Sequence, residues 1–305
     1  MSKPIIIDCD PGIDDAIALL LAIASDELDV KLITTCAGNQ TMEKITTNAL
    51  KLLSFIGEEK IEVAKGATRP LFKELCIADD IHGESGFGEV ELGEPNCSVS
   101  DRSALEAMRD VILNSPEKVT IVAIGPLTNI AILVKSYPEI VNNIEELSIM
   151  GGACYGGNST PTAEFNIFVD PDAAQIVFKS GIPITMFGLD VTHKAFLSNE
   201  DIERIRNTGS KIGVASASML DFYASRLTRG IHMHDACAVA YLVDPSLFTI
   251  IPCNVEVETK GEFTNGQTVV DKNDRTNKPK NANVAFDVDR ERFAEMLYQA
   301  IEKFN

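Results

Sequence analysis

Near its start the chain reads Asp8-Cys9-Asp10-Pro11-Gly12-Ile13-Asp14-Asp15, four carboxylates within eight residues. Singly, each has an ordinary explanation: Asp8 ends an apolar run, and Asp14 and Asp15 complement the positive end of a helix dipole. Four together do not, because like charges about 4 Å apart repel by roughly 4 kcal/mol at an effective dielectric near 20. A cation removes that repulsion, and hard oxygen ligands select Ca²⁺ or Mg²⁺. Pro11-Gly12 supplies a turn that folds Asp10 back toward Asp14 and Asp15. The segment therefore points to a metal or polyhydroxyl site without choosing between them. It is not an EF-hand loop, and the chain carries neither a GxGxxG nor a GxxxxGK[ST] phosphate loop.

Such a cluster has to be held by a scaffold. Short β-branched runs at residues 4–7, 30–35, 119–124, 146–150 and 184–187 alternate with segments of helical apolar spacing at 14–25, 41–56, 103–114, 129–137 and 171–180. Strands separated by helices predict βαβ units and a mainly parallel sheet. Further on, 199–226 reads as helical with a break at 208–210, and another helix starts at Asp235. Short strands are expected at 253–259, 267–271 and 283–287, and an amphipathic helix at 290–303. The expected fold is α/β: a single domain over residues 1–305, with a Rossmann-like sheet flanked by helices, C-terminal helices and a few short strands.

In an open parallel sheet, ligands bind beyond the carboxyl ends of the strands. The segments just past the expected strands are rich in acids, amides and glycines: Asp8 to Asp15, then Gly38-Asn39, Gly125 to Asn129, Gly151-Gly152 with Asn158 to Asn166 beyond, and Gly188 to Asp190. These groups suit sugar hydroxyls and a hard cation, and they would repel a phosphate.

Composition narrows the partners. The chain has 305 residues, with 27 Lys+Arg against 45 Asp+Glu and a net charge of −18. An acidic surface disfavours nucleic acid and anionic membranes. Seven scattered cysteines without a CxxC pair argue against a zinc site or a disulfide framework, and fit a reducing, cytoplasmic compartment. The N-terminal apolar run is too short for a signal peptide.

The chain has only four histidines. His82 lies in a Gly-rich stretch able to close over a ligand, and could equally be a solvated loop residue. His234-Asp235 precedes an apolar helix, where a plain N-cap is the simplest role for Asp235. His193 and His232 carry no spacing signal and read as structural or exposed. No GxSxG elbow is present.

Taken together, DCDPGIDDAIALLLA, CAGN, AIGPLTN, the spaced Asn158 and Glu164-Phe165-Asn166, and HMHDACAVAY resemble the inosine–uridine-type nucleoside hydrolases, in order from Asp8 to about Pro245. The resemblance implies hydrolysis of the N-glycosidic bond of ribonucleosides, in salvage, with one tightly bound Ca²⁺ per chain. Asp10, Asp15 and Asp235 would be its carboxylate ligands, together with the carbonyl of Ile124. Asp14, Asn39, Asn158, Glu164 and Asn166 would hold the ribose hydroxyls, with Met150 and Phe165 near the sugar. His82 and His234 would face the base. The resemblance further implies a small-molecule nucleoside as partner and a homodimer or homotetramer.

The implied chemistry makes Asp10 a general base toward a water acidified by calcium. Positive charge builds on the ribose, and His234 is the candidate donor to the departing base because imidazole titrates near neutrality. In this family base preference depends on the stretch near His82 and the helix before His234. There Tyr223 and Arg226 could contact the base, or could be a packed aromatic and a surface charge. Two rivals stand. A haloacid-dehalogenase-like Mg²⁺ phosphatase would explain Asp8-x-Asp10, but the Thr or Val expected at position 12 is Gly12, and HMHD goes unexplained. A non-catalytic calcium or sugar-binding module would need the acids but neither Asn166 nor His234.

Overall fold

Strands covered on both faces read as continuous apolar runs, and β1 (Lys3–Cys9) is one, buried at every residue after the first. The structure, a computed structural model, describes residues 2–226 and 230–304. After β1 come α1 (Ile13–Ala24), β2 (Leu28–Thr35), α2 (Met42–Ile56), β3 (Val63–Lys65) and the single turn α3 (Asp79–His82). Next are α4 (Ala104–Asn114), β4 (Val119–Ala123), α5 (Thr128–Ser136), β5 (Ile144–Met150), α6 (Phe165–Val169), α7 (Pro171–Phe178) and β6 (Ile184–Phe187). The chain continues through α8 (Leu189–Thr192), β7 (Phe196–Leu197), α9 (Asn199–Arg206), α10 (Lys211–Arg226), β8 (Ile231–His232) and α11 (Ala236–Val243). It ends with β9 (Phe248–Val257), β10 (Thr268–Asp271), β11 (Ala282–Val288) and α12 (Arg290–Glu302).

Nine strands form one sheet in the order β10-β9-β11-β6-β5-β4-β1-β2-β3. Every pair from β11 to β3 is parallel, while β9 runs antiparallel to both β11 and β10. The mainly parallel α/β sheet is thus as expected. Two features were not. β3 is only three residues long and escapes a periodicity search. The C-terminal strands are not a separate decoration but extend the main sheet, with β11 inserted between β6 and β9.

Alternation along the strands divides the core. Ile5, Ile7 and Cys9 face a cluster built with α1, α2, α10, α11 and α12. Ile6 faces a second cluster carried by α4, α5 and α7. Burying each such Ile or Leu contributes about 1.5–3 kcal/mol, so the strands are fixed in register by their side chains. The break expected at 208–210 separates α9 from α10, and α9 begins with a capping box in which Ser198 and Asp201 satisfy each other's backbone N–H.

The strand order reverses between β1 and β4, because β2 and β3 lie on one side of β1 and β4, β5 and β6 on the other. This is the switch point at which α/β sheets open a crevice. The residues following β1 and β4 are Asp10 and Ile124. A separate two-stranded antiparallel ribbon, β7 with β8, ties the segment after α8 to the one before α11. Among the described residues no helix is long and apolar enough to cross a membrane.

Candidate active site

The turn at Pro11-Gly12 brings the acids together through its backbone. The N–H groups of Asp10 and Gly12 donate to the Asp15 carboxylate at 3.2 and 2.9 Å. Asn39, beyond β2, adds its backbone N–H to Asp10 Oδ2 at 2.6 Å and its Nδ2 to Asp15 Oδ2 at 3.0 Å. The fit around Asp10 leaves no space for a larger neighbour, since a Cβ on Gly38 would lie 2.1 Å from Asp10 Oδ2. From the opposite half of the chain, Asp235 arrives at the start of α11. One carboxylate oxygen from each of Asp14, Asp15 and Asp235 lies within 4.8 Å of the others, and such a group could hold a metal ion. Asp235 makes no side-chain cap to its helix. The plain N-cap reading therefore does not explain it.

Asp10 is not part of that closest trio. It sits directly behind it, fully buried, with Oδ1 lacking any hydrogen-bond partner. Asp14 Oδ1 is likewise unpartnered. Burial first, and mutual repulsion second, push the carboxyls up: Asp14 to about 8, and Asp10 and Asp235 well above the usual range. Asp15 moves in the same direction by burial, opposed by the N–H groups that donate to it. Four buried acids, three of them raised by their neighbours' charge as well as by burial, are what a bound divalent cation would relieve. The donor set fits the hard ion expected from the sequence.

Asp8 has a different fate. It shares the sheet face of Ile6, and accepts from Thr34 Oγ1 at 2.6 Å and Asn129 Nδ2 at 2.7 Å. It belongs to the sheet interior, not to the cavity.

Above the trio opens a cavity of about 820 Å³. Its walls contain Asp14, Asn39, His82, Ile124, Met150, Asn158, Glu164, Phe165, Asn166, His234 and Asp235. Of the expected site residues, only Asp10 and Asp15 lie beneath the surface of this cavity rather than on it. Glu164 opens α6 as its cap, accepting from the N–H groups of Gly152, Asn166 and Ile167. Burial still raises its carboxyl to about 7. Asn166 Nδ2 donates to the carbonyls of Ile124 at 2.9 Å and Met150 at 3.2 Å, binding together the ends of β4, β5 and α6. Asn158 Oδ1 accepts from the N–H of Phe165 at 2.9 Å.

His82 is buried rather than solvated. The N–H of Ile13 donates to its Nδ1 at 3.2 Å, and its ring stacks on Tyr223 with centroids 5.6 Å apart. A Cβ on Gly12 would meet the ring at 2.6 Å, so the first turn of α1 and this imidazole are mutually fitted. Burial lowers its pKa to about 4. His234 is lowered further, to about 3, by burial and then by the neighbouring His193, His232 and His82. The expectation that His234 titrates near neutrality is thereby corrected: desolvation keeps this imidazole neutral at pH 7.

His193 is exposed and His232 half-buried, but their place at the cavity was not expected. Both line the cavity, and their rings lie 5.7 and 5.8 Å from that of His234. The β7–β8 ribbon brings them there, and only its two short strands could have signalled it. Tyr223 is buried in the wall and Arg226, exposed, lies at the rim over Phe222. Cys9 and Cys237 are buried with their thiols pushed up, which suits packing and not nucleophilic work.

A buried trio of acids that could hold a metal ion thus lies at a switch point, beneath a cavity lined by amides and imidazoles. The sequence model of the family described as inosine-uridine preferring nucleoside hydrolase matches residues 5–295, and the chain belongs to that family of N-glycosyl hydrolases. Among its relatives is the pyrimidine-specific ribonucleoside hydrolase RihA of Photobacterium profundum, 49% identical over 310 residues that cover 100% of both chains. Among solved structures, a purine-preferring ribonucleoside hydrolase from Gardnerella vaginalis superposes with a TM-score of 0.93 at 35% identity, covering 99% of each chain. The plant nucleoside hydrolase PpNRh1 superposes equally well, at 0.93 and 36% identity, again with 99% of each chain covered.

Proposed function

We propose that this protein cleaves pyrimidine ribonucleosides to ribose and free base with one Ca²⁺ per chain, as a cytoplasmic salvage enzyme acting as a homodimer or homotetramer, with residues 1–305 forming one catalytic unit. The observation that carries the reading is the meeting of Asp14 and Asp15 with Asp235, three buried carboxylates from opposite halves of the chain. Near-complete coverage by a pyrimidine-specific relative supports the choice of base. Seven unpaired cysteines accord with a reducing compartment.

Asp10, Asp15 and Asp235 would hold the ion with the Ile124 carbonyl, whose second lone pair is left beside the Asn166 bond. Asp14 borders both the ion and the sugar. When bound, calcium supplies compensating charge and acidifies a water. Asp10, with its unpartnered Oδ1, takes the proton of the attacking water. Asp14, Asn39, Asn158, Glu164 and Asn166 bind the ribose hydroxyls, and their carboxylates favour the positive charge that develops on the sugar. Met150 and Phe165 exclude water from it. His82 and His234, both neutral, offer hydrogen bonds to the departing base.

The test is incubation with uridine, cytidine, inosine and 4-nitrophenyl phosphate, before and after chelation with readdition of Ca²⁺. Reducing sugar and free base from the pyrimidine nucleosides, lost on chelation and restored by Ca²⁺, is the expected result. Release of phosphate alone would establish the phosphatase rival, and binding without turnover would establish the sugar-binding one.

A further inference from the structure

We propose that Thr192 is the positioning residue of the site: its hydroxyl donates to His234 Nδ1 and so keeps the proton of that imidazole on Nε2, directed at the base. The inference rests on the functional reading above and deepens it.

Thr192 Oγ1 lies 2.8 Å from His234 Nδ1. A hydroxyl can donate or accept, so the direction of this bond decides which ring nitrogen carries hydrogen. The surroundings choose. In a helix, a threonine hydroxyl ordinarily gives its proton to the carbonyl four residues back. Here that carbonyl, Gly188, already accepts the N–H groups of both Val191 and Thr192 at 3.1 Å. Its lone pairs are taken, and the Thr192 proton is left for Nδ1. His82 provides a parallel at the other wall, where the partner of Nδ1 is the Ile13 N–H, a group that can only donate. That bond fixes the neutral His82 as its Nε2–H form. Both imidazoles are thereby held by Nδ1 and present donors to one ligand, matching the carbonyl oxygens of a pyrimidine.

Thr192 also has the rigidity the role requires. It is fully buried. It ends α8, which is anchored to the sheet edge by the Leu189 N–H on the Gly152 carbonyl at 2.9 Å and by the Cys154 N–H on Asp190 at 2.5 Å. The His234 segment is held to the same unit by the Met233 N–H on the Ala195 carbonyl at 2.8 Å. Ring and hydroxyl therefore keep their separation without support from substrate.

Thr192→Val keeps the shape and removes the hydroxyl, and Thr192→Ser keeps the hydroxyl and removes a methyl. With ¹⁵N-histidine-labelled protein, long-range ¹H–¹⁵N spectra distinguish the tautomers, and His234→Gln assigns the His234 signals. Wild type is expected to show His234 as the Nε2–H form, and Thr192→Val as a mixture. Thr192→Val should lower kcat for uridine about tenfold, the scale of one hydrogen bond, with KM within about twofold. Thr192→Ser should restore both the tautomer and kcat. A wild-type Nδ1–H form, an unchanged kcat in Thr192→Val, or a folded Thr192→Ser as slow as Thr192→Val would each overturn the proposal. Wild-type protein that cleaves no nucleoside would instead overturn the functional reading, while the nitrogen spectrum still reports the direction of the Thr192 bond.

Discussion

Asp8 and Asp10 are two residues apart, both fully buried, and they occupy opposite electrostatic worlds. Asp8 has neutral donors on one side: Thr34 and Asn129 both bond Oδ1 while Oδ2 has no hydrogen-bond partner, and Asn129 in turn joins the Thr35 carbonyl and the Ala67 N–H. Burial raises its pKa to about 7, and the two hydrogen bonds oppose the rise. Asp10 faces other carboxylates, and Asp15, Asp14 and Asp8 all add to what burial does. Depth alone therefore says little about a buried acid. Its neighbours separate a carboxylate that gives neutral groups a partner from one that stays under repulsion, the kind of group the proposed chemistry would use.

The sharpest way to break this contrast is Asp10→Ala. It should abolish uridine cleavage, by at least about 10³-fold on the scale of a lost general base and ligand. The calcium-free fold should change little in stability, since relief of the crowding among the acids offsets the Asn39 N–H left without its acceptor; steady-state rates and urea unfolding measure the two halves. Asn129→Ala should do the reverse, lowering unfolding stability by about 1–3 kcal/mol, because the Ala67 N–H loses its acceptor while Asp8 keeps Thr34 and the Thr35 carbonyl keeps the Gly66 N–H. Next in size is the response to calcium. At a hundredfold excess over Kd, the ion should stabilise wild type by about 2.7 kcal/mol. Asp8→Asn should keep that thermal shift and Asp235→Asn should lose it.

The last comparison concerns pH. In chelated protein, Asp8 and Asp14 hold protons to about 7 and 8, whereas the unfolded chain releases them near 3.8. The folded state binds more protons across that window, so its stability falls as pH rises from about 4 to about 8. Calcium should cancel the part due to Asp14 and leave the part due to Asp8, which Asp8→Asn should then flatten. Urea midpoints at pH 6 and pH 8, with and without Ca²⁺, resolve the two contributions.

Much of this arrangement is written in local patterns. The β1–α1 acids, the alternating strands and the helical spacing of α2, α4 and α12 follow from periodicity and turn chemistry. The partnership of Asp15 with Asp235 does not, because it depends on the sheet order, and only resemblance to a family supplied it. The fate of Asp8 was hidden because spacing does not reveal to which side of a strand a carboxylate turns. His193 and His232 were missed for a related reason: the two-residue strands β7 and β8 have no period, yet their pairing draws together the end of α8, which carries His193, and β8, which carries His232.

The insertion of β11 between β6 and β9 has a consequence for synthesis. β9 leaves the ribosome ahead of the strand it must lie against, and so cannot dock on β6, whose edge is reserved for residues made later. Until Ala282–Val288 emerge, the nascent chain carries an open parallel edge on β6 and a β9–β10 pair not yet joined to the sheet, the kind of surface that invites intermolecular pairing. A ribosome stalled before β11 should therefore yield a chain that aggregates, although every acid of the catalytic cavity has already been translated.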